Sequence, residues 1–163
     1  MVPSSRRGTQ FLADAMLGSL ARKLRALGFD TEYYRSGDDA GMIELASDSG
    51  RIILTSDRSL ASRANAKGVM AILLSGRTDG ARIEAAARGA AHMKTPLVRG
   101  DPLCSICNGE LRKVPKEEIV GQVPPSVSRR HRLFFRYATC GHLYWRGSHW
   151  KKLMALARRL EGT

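Results

Sequence analysis

The feature that most constrains this chain is a unit recurring through its first hundred residues: a short apolar strand, a polar turn, then a helix, with aspartate in most of the turns. The first instance is Phe11-Leu12-Ala13-Asp14, running into a helix that ends at Gly28. Over that helix Leu17, Leu20, Ala21, Leu24 and Leu27 recur at helical spacing, and its Arg and Lys mostly fall on the other side. Gly28 stops it, as glycine does by accepting a left-handed conformation. The unit returns as strand 30–34, turn 35–38 and helix 39–49. It returns again as strand 51–55, turn 56–59 and helix 60–67, and as strand 69–74, loop 75–80 and helix 81–93. The run Ile52-Ile53-Leu54 suits burial on both faces. Fourfold alternation with short loops predicts an α/β fold, a parallel sheet flanked by helices.

The alternation stops near residues 95–102, where two prolines and a glycine mark a boundary. The expected division is 1–98 for the α/β domain and 99–163 for a small second module. That module shows a polar stretch, a basic Arg129-Arg130-His131-Arg132, a strand-like 133–137 and a basic amphipathic helix over 149–160. It holds too few core positions to fold without a staple. Cys104-x-x-Cys107 followed by Asn108-Gly109 supplies one, since this is the spacing of a metal knuckle. The three cysteines are an odd number, all beyond residue 100, which argues against a secreted disulfide framework. No thioredoxin-like strand and helix flank the pair, which argues against a redox role.

Charge points to a partner. The chain carries 27 basic and 15 acidic groups, a net +12. Residues 101–163 alone carry 12 and 5, a net +7 in the shorter part. Such an excess favours polyanions, and nucleic acid above all. No apolar run approaches the ~20 residues of a membrane span. The first residues are too polar for the apolar core of about 7 residues that a signal peptide needs. A cytoplasmic protein with no membrane partner is the expectation.

The aspartates then take on meaning. A parallel sheet places the C-terminal ends of its strands along one edge. Asp14 follows the first strand, Asp38 and Asp39 the second, Asp57 the third. Each alone is a natural helix cap. Together they make an acidic cluster on a basic protein, and clustered like charges call for a cation. Oxygen ligands suit Mg²⁺ or Mn²⁺, which activate water and stabilise charge on a phosphodiester. The arrangement this requires is convergence of the strand-end carboxylates within about 5 Å.

Four stretches carry a resemblance in order and spacing: Phe11-Leu12-Ala13-Asp14-Ala15-Met16-Leu17-Gly18; Leu20 through Asp30; Asp38-Asp39 ahead of Ile43-Glu44-Leu45-Ala46; and Leu54-Thr55-Ser56-Asp57-Arg58-Ser59-Leu60. With the cysteine-bearing tail they cover nearly the whole chain. The sequence resembles the PIN-like RNase family named after the C-terminal region of the Mut-seven exonuclease. The resemblance implies a PIN-type α/β fold followed by a zinc ribbon, and metal-dependent cleavage of RNA by a carboxylate cluster. By position it implies Asp14, Asp39 and Asp57 as the metal-binding set, with Asp38 a fourth member and Glu44 a weaker one. The related pattern carries another acid two residues after the third; here Ser59 stands there. Arg22 and Arg58 lie near these acids in sequence and are candidates for holding the scissile phosphate, Lys23 less so.

In the resembling family the second half of the ribbon is also a C-x-x-C. Cys140-Gly141 fits its last cysteine, and Tyr137 stands where the first should be. Three alternatives follow. His142 completes a Cys₃His zinc site with Cys104, Cys107 and Cys140; or His131 or His149 does so from further away; or zinc has been lost. The module's cations and rings suit phosphates and unpaired bases respectively. Phe134, Tyr144 and Trp145 read better as its small core, and Arg129, Arg130 and Arg132 as RNA contacts. The expected function is a Mg/Mn-dependent ribonuclease with a degenerate zinc ribbon that binds RNA. The alternative is a non-catalytic RNA- or ribosome-binding protein that keeps the fold.

Overall fold

The structure is a computed structural model that describes residues 8–95 and 97–161. The first seven residues, read above for a signal peptide, and the side chain of His149 lie outside the described residues. Strands β1 (Gln10–Ala13), β2 (Asp30–Tyr33), β3 (Ile52–Thr55) and β4 (Ala71–Leu73) form one parallel sheet in the order β2-β1-β3-β4. Side chains alternate between its faces. Phe11, Ala13, Ile52, Leu54 and Ile72 pack with helices α1 (Gly18–Ala26) and α4 (Asp79–His92). Leu12, Ile53 and Ala71 pack with α2 (Asp39–Ser49) and α3 (Arg58–Ala66). The result is the helix–sheet–helix sandwich expected from the alternation. The chain runs outward from β1 to β2, then back past β1 to β3. The order therefore reverses between β1 and β3, the point where open α/β sheets bind ligands.

Beyond α4 the chain forms a second sheet of antiparallel strands β5 (Leu111–Val114), β6 (Phe134–Tyr137) and β7 (Leu143–Trp145), with helices α5 (Pro125–Arg130) and α6 (Ser148–Glu161). Leu156 and Ala157 of α6 are buried in the same core as α1 and α4. The last helix thus completes the first sheet's outer layer as well as ending the module.

Three local features differ from the sequence expectation. The first helix opens with a 3-10 turn over Ala15–Leu17 and becomes α-helical only at Gly18. Strand β5 was hidden in the polar stretch, because Arg112 and Lys113 are exposed and supply no alternation to read. The end of the polar stretch and the start of the basic segment form helix α5, which the sequence reading does not include; Pro125 begins it with a φ already suited to a helix.

The largest departure is Arg25. It sits on the helix whose cations mostly face solvent, yet it is buried. Its Nε donates to Thr31 O (2.8 Å), and its Nη1 donates to Ser105 O (3.0 Å) and Ile106 O (2.9 Å) of the cysteine knuckle. Asn108 reaches the same strand from the knuckle. Its Nδ2 donates to Asp30 Oδ1 (2.6 Å), and its Oδ1 accepts from Thr31 N (3.2 Å). Asn108 holds a positive φ of 61°, which Asn tolerates better than most residues. Asp30 also accepts from Arg51 Nη1 (3.0 Å) and Gln10 Nε2 (2.9 Å). Gly28 lets the linker close over this seam. Its φ is +95°, and a Cβ there would lie 2.2 Å from Gly100 O.

Burial alone would raise the Asp30 carboxyl. Hydrogen bonds from Arg51, Asn108 and Gln10 outweigh it and hold the group down at about 2. A depressed carboxylate stabilises the fold at pH above its unfolded value, and that contribution disappears as pH falls through the folded value. The window is therefore from about 4 down to about 2, and the contribution is about 2 kcal/mol. Denaturant midpoints measured across that window should fall steeply for the wild type and flatten for Asp30→Asn. Equal slopes would show that Asp30 does not drive acid destabilisation.

Candidate functional site

The acidic edge forms where the topology puts it. Asp14 follows β1, and its amide donates to Leu54 O of β3 at 3.0 Å, so the ends of the two central strands are locked side by side. Asp14 stands at the cap position of the 3-10 turn, but its side chain makes no capping bond. Instead Asp14 Oδ2 accepts from Thr55 Oγ1 (2.7 Å), and Thr55 Oγ1 in turn accepts from the Asp57 amide (3.0 Å). The buried Thr55 hydroxyl therefore links the first and third strand-end acids. Asp38 and Asp57 are true caps. Asp38 accepts from Ala40 N (3.1 Å) and Gly41 N (3.0 Å), and Asp57 Oδ1 accepts from Ser59 N (2.7 Å) and Leu60 N (3.1 Å). Asp39, the first residue of α2, is paired with Arg63 of α3. Glu44 is exposed on α2, away from the sheet.

The sheet thus brings these acids to one edge, but the carboxylates do not close on one another. Among the described residues no three carboxylates have ligand oxygens within 4.8 Å of each other, so the convergence expected of Asp14, Asp39 and Asp57 is not met as the side chains stand. The physical reason is local. Like charges repel, the caps draw Asp38 and Asp57 toward their own helices, and the ion pair draws Asp39 toward Arg63 of α3. Asp14 Oδ1 and Asp57 Oδ2 accept no hydrogen bond among the described residues. Hard oxygen donors with open lone pairs are the right chemistry for Mg²⁺ or Mn²⁺.

Arg22 and Arg58 are exposed. Arg22 lines a cavity of about 220 Å³ with Gly18, Ser19 and Tyr33. Lys23 is occupied elsewhere: its Nζ donates to Asp79 Oδ2 at 2.8 Å, and Ser19 Oγ donates to the same oxygen at 2.6 Å. Burial raises the Asp79 carboxyl, but the Lys23 and Ser19 hydrogen bonds bring it below its ordinary value. Asp79 begins the helix after β4, a fourth strand-end acid. The sequence pattern places Asp79 in the loop 75–80, although its position after the fourth strand is the same signal that marks the other three.

The thiols do meet. Cys104, Cys107 and Cys140 have their sulfurs within 4.8 Å of one another, with Cys104 Sγ and Cys140 Sγ 3.6 Å apart. Zn–S bonds of ~2.3 Å in a tetrahedron put sulfurs about 3.8 Å apart, so the three fit one zinc ion. The knuckle amides of Ile106 and Cys107 donate to Cys104 Sγ at 3.3 and 3.2 Å, the bonds that support a thiolate. Burial pushes the Cys104 thiol up. At Cys107 burial acts the same way but is outweighed by hydrogen bonds, chiefly from Cys104 and the Gly109 amide, so that thiol lies below its ordinary value. The sulfur cluster contains no imidazole among the described residues: His142 is exposed and lies beside Tyr144, with ring centroids 6.2 Å apart. His131 lies beside Trp145, and the side chain of His149 is outside the described residues. Tyr137 occupies the position of the absent cysteine as a buried residue, its hydroxyl donating to Leu103 O at 3.2 Å.

Arg129 and Arg130 end α5 and Arg132 follows it, all three exposed. Of the three aromatics assigned to the core, Phe134 is fully buried, Tyr144 is half-buried and Trp145 is 36% exposed. Metal analysis checks the thiol site. Purified protein should carry about one zinc per chain, lost in Cys104→Ser and retained in His142→Ala, and binding should weaken as acid protonates the thiols. Zinc that leaves with His142 would place the imidazole in the site.

Among the described residues no helix is long and apolar enough to cross a membrane. Neither among curated proteins nor among solved structures does any match the chain. The family model of the Mut7-C RNAse domain matches residues 9–157, spanning both the acidic edge and the cysteine cluster. The chain therefore belongs to the Mut7-C RNAse domain family.

Proposed function

We propose that this protein is a metal-dependent ribonuclease whose acidic edge cleaves RNA phosphodiester bonds while the basic cysteine module holds the strand. The observation that carries the reading is that Thr55 Oγ1 joins the Asp14 carboxylate to the Asp57 backbone amide at the point where strand order reverses, in a chain of a ribonuclease-type family. In this reading residues 1–98 are the nuclease and residues 99–163 the binding module.

Asp14, Asp57 and Asp39 hold Mg²⁺ or Mn²⁺, with Asp38 as a further oxygen donor. A divalent ion held there supplies an activated water and offsets the charge that develops on the phosphodiester. The chain's own residues do the positioning. The Thr55 hydroxyl fixes the orientation of Asp14, as outer groups commonly fix ligating carboxylates. Arg63 holds Asp39 until that carboxylate turns toward the strand ends. Arg22 and Arg58 hold the scissile phosphate, and Arg129, Arg130 and Arg132 contact the backbone of the RNA. Zinc on Cys104, Cys107 and Cys140 is structural, staking the knuckle that Arg25 and Asn108 fasten to the sheet. Cysteines outside any disulfide suit a cytoplasmic setting.

A second reading, a non-catalytic RNA-binding protein, is favoured by one observation: Asp39 is engaged by Arg63 and Asp57 by its own helix, and Ser59 stands where a further acid belongs. One experiment separates the two. Labelled RNA incubated with Mg²⁺ or Mn²⁺ should be cleaved by the wild type. Asp14→Asn and Asp57→Asn should each lose at least about 10- to 100-fold, the cost of losing even an outer partner of a metal. Thr55→Val should weaken metal dependence in the same direction. RNA that is bound tightly and never cut selects the second reading, and cleavage that survives both Asp substitutions removes this site.

A further inference from the structure

One face of the second sheet is aromatic by register. Phe135 and Tyr137 are two apart on β6 and share a face; Tyr144 lies opposite Phe135, and Leu111 opposite Tyr137. Tyr137 and Tyr144 meet edge to face with centroids 4.5 Å apart. The face is only partly covered, and a cleft of about 230 Å³ remains between it, the start of α6 and the linker at Asp101–Leu103. The cleft is smaller than the roughly 300–1,000 Å³ of pockets for drug-sized ligands, and suits a single flat ring system.

Its walls are not purely apolar. The Arg146 guanidinium lies over both Phe135 (5.6 Å) and Trp150 (5.5 Å), so two rings hold a cation at the mouth of the cleft. Among the described residues no carboxylate pairs with it. Lys113 lies opposite Phe135 on the same face, and Lys151 follows Trp150. Stacking rings beside cations, in a segment of net charge +7, are the elements that bind a single strand: rings take bases, cations take phosphates. Bases in a duplex are already stacked and paired, so only an unpaired one can enter.

We propose that this cleft receives one unpaired nucleobase of a single-stranded RNA, stacked on its aromatic wall, with Arg146 on the adjoining phosphate. The proposal rests on the reading that the chain binds RNA, and it names the strand form: unpaired RNA rather than duplex.

Both tryptophans of the chain, Trp145 and Trp150, line the cleft, so intrinsic fluorescence reports its occupancy. The full chain is titrated, without added Mg²⁺ or Mn²⁺, with an oligoadenylate, with the same strand made abasic, and with a duplex of equal charge. Oligoadenylate should quench the tryptophans; the abasic strand and the duplex should not. By anisotropy the abasic strand should bind at least about fivefold more weakly, the lower range for loss of one stacked base. Trp150→Leu should weaken oligoadenylate binding to a similar degree, and Trp150→Phe should restore it. Equal affinity for the abasic strand, or binding with no quenching, overturns the proposal whether or not the variants fold, since both are read on the wild type. Cleavage without quenching removes this cleft and leaves the nuclease reading standing. Quenching without cleavage removes the nuclease and leaves the cleft.

Discussion

The placement of the cysteine knuckle depends on a buried polar seam along β2. Asp30 accepts hydrogen bonds from Gln10, Arg51 and Asn108, and Arg25 caps the carbonyls of the cysteine knuckle from the other side. A buried ion pair of this kind is weak evidence for stability, but breaking one partner leaves an uncompensated charge and costs several kcal/mol. The seam therefore fixes geometry more than it adds stability. It determines which way the knuckle faces, and through the knuckle where the small sheet stands relative to α1. The linker obeys the same constraint, since Gly100 donates to Gly28 O at 2.9 Å in a space no side chain would fit.

The acidic edge follows from a different constraint, the order of the sheet. Because β1 and β3 are neighbours and β2 and β4 lie outside them, the turns after the two central strands face each other across a crevice. Thr55 turns that adjacency into chemistry by touching both Asp14 and Asp57. Asp38 and Asp57 carry the helix-capping duties that Asp14 lacks, and Asp39 is held by Arg63. An aspartate that begins a strand–helix turn without capping it is set apart from its neighbours by that omission alone.

Strands β1 and β3 of the main sheet were legible because Phe11-Leu12-Ala13 and Ile52-Ile53-Leu54 are continuous apolar runs that suit a doubly covered sheet, and β2, Asp30-Thr31-Glu32-Tyr33, was legible from its place between two helices. Strand β5 was not, because Leu111-Arg112-Lys113-Val114 belongs to a small sheet exposed on much of its surface. The positions of Asp14, Asp39 and Asp57 at one edge were likewise legible, since topology alone sets them. Their rotamers were not: the partners Thr55 and Arg63 are 41 and 24 residues away from the acids they hold. The seam was least legible of all. Arg25 looks like any cation of an amphipathic helix until a segment 80 residues later brings it two carbonyls.

Helix α6 has a consequence in the time order of folding. Leu156 and Ala157 share a core with Leu20, Leu24 and Ile83, so the outer layer of the first sheet stays open until the far end of the chain exists. During synthesis the parallel sheet can form early, but the apolar surface that α6 covers beside α4 remains exposed while more than sixty further residues are added. Contacts of such sequence separation close late and slowly. A nascent chain paused in the basic stretch would present that bare surface to chaperones or to other chains.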